Sequence, residues 1–387
     1  MKLIPYGRQN INDDDIESVI SALKSDYITQ GPQIANFEEG LAKYTKAKYC
    51  SVFNSATSAL HISCLALGVK KGDIVWTSPN SFVASSNCAL YCGATIDFVD
   101  IDPRTYNICP DLLSKKLQIA KKESKLPKLV IAVHFSGQSC DMQKIKNLSD
   151  EYGFKIIEDA SHAIGGSYQD GKIGSCEFSD VTIFSFHPVK VITTAEGGAA
   201  LTNDLEVGQK LSLLRSHGVT RDQSQMDGDP DGPWYYEQID LGYNYRMTDI
   251  QAALGSSQLK RLDSFIAKRH QIAKRYNESF KDLPVDAPFQ GKNQYSAYHL
   301  YVITLHNPNL RKKLFDFMRE NKVLVNVHYI PIHTQPYYQK LGFKWGDFPN
   351  SEKYYQSAIS LPMFYDLSDE DQGRVIELLK TFFNNEQ

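Results

Sequence analysis

A chain of 387 residues, 42% hydrophobic and 22% charged, is long enough for two lobes and ordinary in composition for a globular protein. A net charge of −3 argues against a general binder of nucleic acid or anionic membrane. No run approaches the roughly 18 apolar residues of a membrane helix. The N-terminal stretch turns polar after Ile4 and has no apolar core of a secretory signal. The 7 cysteines contain no Cys-x-x-Cys pair, so neither a zinc site nor a disulfide framework is indicated, and a reducing cytoplasm fits.

In chain order, residues 1–32 read as an arm and a helix. Asn12 caps that helix, Asp13, Asp14 and Asp15 suit its dipole, and Ile16, Val19, Ile20 and Leu23 form its apolar stripe. Thr29-Gln30-Gly31-Pro32 is a turn, equally a plain connector or a pocket wall. A second helix carries Ile34, Phe37, Leu41 and Tyr44. Strands and helices then alternate. Strands are expected over 49–53, 73–77, 95–99, 129–135 and 154–158, with helices over 56–67, 82–91, 110–120 and 142–152 between them. Such alternation implies βαβ units and a mostly parallel sheet covered on both faces. Residues 219–238 read as a polar surface loop. One long helix, 248–280, is expected to link two lobes. The remainder reads as α+β, with strands over 299–305 and 323–329 and a last helix capped by Ser368. The division expected is a large unit over 1–250 and a smaller one over 251–387.

Val181 to Leu201 reads as strand, loop, strand, with Ser185, His187 and Lys190 at or past the end of an apolar run. A lysine at the rim of a buried sheet loses solvent, which lowers its pKa and makes its amine nucleophilic; a lone lysine on a surface loop is the plainer alternative. Four neighbours in the pattern bear on that choice. Asn54 to Leu60 is a strand-to-helix junction of small residues, where Ala56 and Thr57 offer free first-turn amides to an anion. Phe82 follows a strand end, either as core or as a ring to stack on a planar ligand. Asp159 ends an apolar strand and suits a protonated ring nitrogen, or else a salt bridge or cap. Glu158 points to the opposite face by strand alternation. Ser185 adds a hydroxyl beside the same anion. Anion seat, ring, acid and lysine together are the parts that pyridoxal phosphate requires.

The ordered motifs NSATSAL, EDASHAIG, FSFHPVK, AEGGA, RSHG and NYRM resemble those of the DegT/DnrJ/EryC1/StrS nucleotide-sugar aminotransferases over nearly the whole chain. The resemblance implies a fold-type I α/β transferase with a large mixed, mostly parallel sheet and a smaller C-terminal α+β unit. It implies that Lys190 binds pyridoxal 5′-phosphate covalently, Asp159 meets the ring nitrogen, Phe82 stacks, and His162 lies beside the ring. Ala56, Thr57 and Ser185 would hold the phosphate. Asn244 would complete the phosphate site of a partner subunit, making the enzyme a homodimer with shared sites. Tyr6, Gln30, His328 and Tyr329 match positions near the nucleotide sugar, and Arg246 and Arg215 are candidate anion partners.

Asn326 to His333 and Pro336 to Tyr338 are similar to the branch of the family in pseudaminic acid biosynthesis, which aminates C4 of a UDP-linked 4-keto-6-deoxy-N-acetylhexosamine from L-glutamate, releasing 2-oxoglutarate. A sister enzyme for another 4-keto or 3-keto sugar nucleotide is the alternative. Lys190 is intact, which favours transamination over dehydration. Pro188 stands where the family often has alanine, and it stiffens the loop.

Overall fold

The computed structural model describes residues 2–386. Seven strands form the main sheet: β1 (Tyr49–Phe53), β2 (Ile74–Thr77), β3 (Thr95–Phe98), β4 (Leu129–Val133), β5 (Lys155–Asp159), β6 (Val181–Ser185) and β7 (Gly198–Thr202). Their order is β1-β7-β6-β5-β4-β2-β3. Only β7 runs against its neighbours, pairing antiparallel with β1 and β6. Every residue of β4 and of β6 is buried, as in strands covered on both faces. Strand alternation divides the core. Val75, Ile131, Ile157 and Ile183 pack with the helices α3 (Ala56–Ala66) and α4 (Ala84–Tyr91). Trp76, Val130, Ala132 and Ile156 pack with α5 (Pro110–Lys122) and α6 (Met142–Tyr152) on the other face. Asp159 stands beside Ile183 in the parallel register of β5 with β6. The carboxyl ends of those strands therefore open onto one place, where open α/β sheets bind ligands.

Asn12 caps α1 (Asp13–Leu23) with a complete capping box. Its apolar stripe does not face this chain's core, however. Ile16, Ile20 and Leu23 are 48%, 43% and 55% exposed. Helix α1 instead lies on a later helix, α8 (Asp249–Lys260), through Ala22 and the buried Asp15. The expected helix over 82–91 begins only at Ala84, which leaves Phe82 in the connection.

The long helix over 248–280 is two helices, α8 (Asp249–Lys260) and α9 (Leu262–Ser279), broken at Arg261 (φ −102°, ψ 0°). Arg261 carries no Pro or Gly signal. Its guanidinium is drawn to Asp15 and Asn10, and the break lets α9 take its own axis. Leu262, Phe265 and Ile266 of α9 pack beneath the main sheet, whereas Ile272, Ala273 and Tyr276 enter the C-terminal core, so α9 joins the two cores.

That second core surrounds Tyr301–Leu305 and Ala358–Leu361, which pair antiparallel. Ile4 of the N-terminal arm sits in it too, bridged to Val323. The strand expected over 323–329 does not form. The segment makes only single bridges, Val323 to Ile4 and Asn326 to Ser360. The Asn326 side chain takes the Val327 amide at 2.8 Å, which competes with a ladder. Within the polar stretch over 219–238, a short pairing of Val219–Thr220 with Glu237–Gln238 is the regular part. No helix of the described residues is long and apolar enough to cross a membrane.

Candidate active site

A cavity of about 420 Å³ opens at the carboxyl ends of β5 and β6. It brings together Tyr6, Ala56, Thr57, Phe82, Asp159, His162, Ser185, Lys190, His328 and Tyr329, all singled out from sequence. Lys190 follows β6 in a tight turn, its amide bonded to the His187 carbonyl at 2.9 Å. The residue is only half-buried because its end faces the open cavity, yet the surrounding protein strips water from the ammonium. That desolvation lowers its pKa to about 8, against the attraction of Asp159, which raises it.

Asp159 is 4% exposed and forms no salt bridge among the described residues. Its Oδ1 accepts from the Ser161 hydroxyl at 2.6 Å and the Ser161 amide at 3.2 Å. Its Oδ2 accepts from the Ser85 hydroxyl at 2.6 Å. A buried carboxylate held by two hydroxyls and one amide is costly unless a cation meets its remaining acceptor capacity. Glu158 does point to the opposite face, where His134 Nε2 lies 2.6 Å away and Ser179 and Thr182 donate to it.

At the mouth of α3, the Ser55 hydroxyl accepts the Ser58 amide at 3.1 Å and satisfies that donor. The amides of Ala56 and Thr57 have no carbonyl within the helix to bond, and they remain for an anion. The paired glycines let this seat close on β7. A Cβ on Gly198 would stand 2.5 Å from the Ala56 nitrogen, and one on Gly197 would stand 2.1 Å from Thr194 Oγ1. Phe82 is 60% exposed at the cavity edge, with its ring 6.4 Å from that of Tyr329. It is therefore not core, and its face is available to a planar ligand.

His162 is buried and its Nδ1 accepts the Ser136 amide at 3.2 Å. In the neutral ring Nε2 then carries the proton and donates to the Tyr329 oxygen, 3.1 Å away. Burial, then the Lys190 and His328 charges, hold its pKa well below the usual histidine range. His328 is lowered to about 4 by burial and by Lys190, and its Nδ1 lies 2.8 Å from Ser360 Oγ. Burial raises the phenols of Tyr329 and Tyr6. These histidines and phenols are neutral near pH 7, so at the buried end of the cavity the charges are the Lys190 amine and the Asp159 carboxylate.

Four predicted residues do not reach this cavity in their own chain. Gln30 and Arg246 line a separate cleft of about 1030 Å³ with Ser216, His217, Arg221 and Tyr236. Gln30 is carried there by the turn ahead of the second helix, whose Thr29 bridges Thr248, and Arg246 by its bridge to Phe53 of β1. Asn244 bridges Ser216 beside the same cleft. Arg215 is not free for a substrate, since its guanidinium pairs with Glu38 and donates to the Val52 carbonyl. The structure adds Ser81, Ser85, Ser161, His187, Glu196 and His299 to the cavity. Ser161 had a local signal, two residues after Asp159, where such side chains bond backward. Ser85 and His299 had none, because the chain brings them in from distant segments.

The family model of DegT/DnrJ/EryC1/StrS aminotransferases matches residues 9–380. The chain belongs to this family. It is similar to the Campylobacter jejuni protein named UDP-4-amino-4,6-dideoxy-N-acetyl-beta-L-altrosamine transaminase, 38% identical over 97% of this chain and 96% of that one. Among solved structures, Helicobacter pylori PseC, an aminotransferase of pseudaminic acid biosynthesis, superposes with a TM-score of 0.91 at 32% identity, covering 99% of this chain and 100% of that one. Spr1654 of Streptococcus pneumoniae, a putative sugar aminotransferase solved in a PLP form, gives 0.89 at 29% identity and covers 99% of both chains. The expected α/β transferase fold is therefore the one observed.

Proposed function

We propose that this chain is a pyridoxal 5′-phosphate-dependent aminotransferase. It moves the amino group of L-glutamate to C4 of UDP-2-acetamido-2,6-dideoxy-β-L-arabino-hex-4-ulose, the step named for its relatives in pseudaminic acid biosynthesis. The observation that carries the reading is Asp159, a buried carboxylate without a cation, in one cavity with the desolvated amine of Lys190. The residues fit the cofactor at each end. The Ala56 and Thr57 amides, with Ser185, hold the phosphate. Phe82 covers one ring face, and Asp159 takes the ring N–H. Neutral His162 stays beside the ring without adding charge.

When bound, the cofactor supplies an aldehyde for amine exchange and a ring that delocalises electrons. The chain supplies the rest. The Lys190 amine would hold the cofactor and be freed when the glutamate amine takes its place. The freed Nζ would take the proton from the donor Cα and return it two atoms along, at the cofactor's former aldehyde carbon, as general base and then acid. Asp159 holds a proton on the ring nitrogen. Release of 2-oxoglutarate would take up one water, which the sugar half-reaction gives back. The same proton transfers run in reverse on the sugar, so a ketone and an amino acid become an amine and a keto acid with atoms in balance.

Two observations support a homodimer with shared sites. The apolar face of α1 is unpartnered in this chain, and Gln30, Asn244 and Arg246 lie on a cleft away from their own Lys190. In a dimer Asn244 of the partner subunit would close the phosphate seat, with Gln30 and Arg246 near the nucleotide. The seven cysteines are all free, in keeping with a reducing cytoplasm.

Incubation of the loaded protein with L-glutamate and the 4-keto UDP-sugar, followed by NMR of the product, tests the reading. The expected product carries an amine at C4, with one equivalent of 2-oxoglutarate formed. An unchanged ketone, with a different keto sugar nucleotide aminated instead, would overturn the substrate assignment.

A further inference from the structure

The acid that meets the cofactor ring is held by a directional chain of hydroxyls, and that chain starts beside the stacking phenylalanine. Ser85 Oγ lies 2.6 Å from Asp159 Oδ2, and Ser81 Oγ lies 2.7 Å from Ser85 Oγ. Ser81, Ser85 and Asp159 are all at least nine-tenths buried. An ionised carboxylate only accepts, so the Ser85 proton is committed to Asp159. Ser85 can then only accept from Ser81, and the donors run Ser81 to Ser85 to Asp159. Such a chain strengthens along its length in a buried site. Ser161 occupies the other carboxylate oxygen through both its hydroxyl and its amide. Donors on both oxygens fix the plane of the carboxyl group and leave its free lone pairs toward the cavity.

Phe82 lies between the two serines in sequence and belongs to the same turn into α4. That helix is anchored at its far side, where the Tyr338 hydroxyl donates to Asn87 at 2.6 Å. The ring plane and the direction of the nitrogen acceptor are therefore set by one short segment.

We infer that Ser85 is a positioning residue for the aminotransferase reaction, and that Ser81 acts through it: together they aim the Asp159 carboxylate at the nitrogen of a ring that Phe82 holds flat. This rests on the reading that Asp159 meets the cofactor. Neither serine touches the reacting atoms.

The test uses the full-length protein as wild type, Ser85→Ala, Ser85→Thr, Ser81→Ala and the Ser81→Ala/Ser85→Ala double variant. Three quantities are read: the pyridoxal 5′-phosphate dissociation constant, the pH midpoint of the bound cofactor's visible band, and the rate constant and KM of the glutamate half-reaction. A hydrogen bond to a charged group sets the scale, so Ser85→Ala weakens cofactor binding by about tenfold or more. It also moves the band's midpoint and lowers the half-reaction rate constant with KM unchanged. Ser85→Thr restores all three. Ser81→Ala has a smaller effect that vanishes in the Ser85→Ala background.

A merely structural serine would lower the melting temperature without moving the midpoint, and that result overturns the inference. So do Ser81 and Ser85 effects that simply add. Should Ser85→Ala fail to fold, Ser81→Ala alone decides, since an unmoved midpoint in that variant refutes the chain. Wild type that binds no cofactor through Lys190 refutes the site itself. Wild type that binds it, with variants indistinguishable from it, refutes only this inference.

Discussion

Lys190 offers the most quantitative check on the site. Its ammonium is desolvated by the protein around it, so its pKa stands near 8 although Asp159 pulls it upward. At about pH 7.5, a group of pKa about 8 is neutral in roughly one molecule in four, whereas an ordinary lysine is neutral in about one in a thousand. The nucleophilic fraction is thus about 200-fold larger than on a surface lysine. Rapid mixing of the apoprotein with pyridoxal 5′-phosphate across the alkaline range, following the visible band, should show the capture rate rising to about pH 8 and then levelling. Lys190→Ala should give no band.

Asp159→Asn removes the charge that favours the ammonium, so the midpoint should fall below that of wild type. The sign for stability follows from proton counts. Between about 8 and the ordinary lysine value of 10.5, the unfolded chain binds more protons at this site than the folded one. The stability of the wild-type apoprotein relative to Lys190→Met should therefore rise with pH through that window and stay constant below it. A capture rate that climbs without a plateau to the pKa of a free lysine would refute the desolvated site.

Further outcomes follow from the same geometry. Phe82→Ala removes an exposed ring that contributes no core, so stability should hold while the cofactor dissociation constant rises about three- to tenfold, read by fluorescence titration. Glutamate substitution of both Ile16 and Ile20 puts charge on the unpartnered face of α1, and sedimentation velocity should then find monomers where wild type is dimeric. Lys190→Ala and Arg246→Ala should each be inactive alone. Mixed under conditions that exchange subunits, they should regain about a quarter of wild-type activity, because half of the dimers then carry one site with neither defect. Recovery no greater than the two variants' own activities would place Arg246 outside the partner's site.

The site was legible where its chemistry is local to a strand end. Asp159, Ser185 and Lys190 stand at or past an apolar run, and Ala56 and Thr57 where a strand enters a helix, so periodicity marked them as candidates and the ordered motifs chose among their readings. Ser85 and His299 were not legible, because they reach the cavity only through tertiary packing of separate segments. The break at Arg261 was not legible for a similar reason: it lies in good helical sequence, and the carboxylate its side chain meets, Asp15, comes from a distant segment. The α1 stripe was legible as apolar, but its partner was not, and Ile16, Ile20 and Leu23 stay exposed in this chain. Periodicity reports that a face is buried against something, not which chain supplies it. Gln30 and Arg246 mark the same boundary: they line a cleft away from Lys190, and under the proposed dimer they would serve the second subunit.

The central claim, that Lys190 and Asp159 operate a glutamate-dependent amino transfer to a nucleotide sugar, is tested most directly by following the visible band through one full cycle on a single sample. Purified protein loaded with pyridoxal 5′-phosphate is predicted to be yellow, to lose the band on addition of L-glutamate, and to recover it when the 4-keto UDP-sugar is added after the glutamate is removed. Lys190→Ala is predicted to show neither change. A band that glutamate leaves untouched, or one that no keto sugar nucleotide restores, would contradict the account.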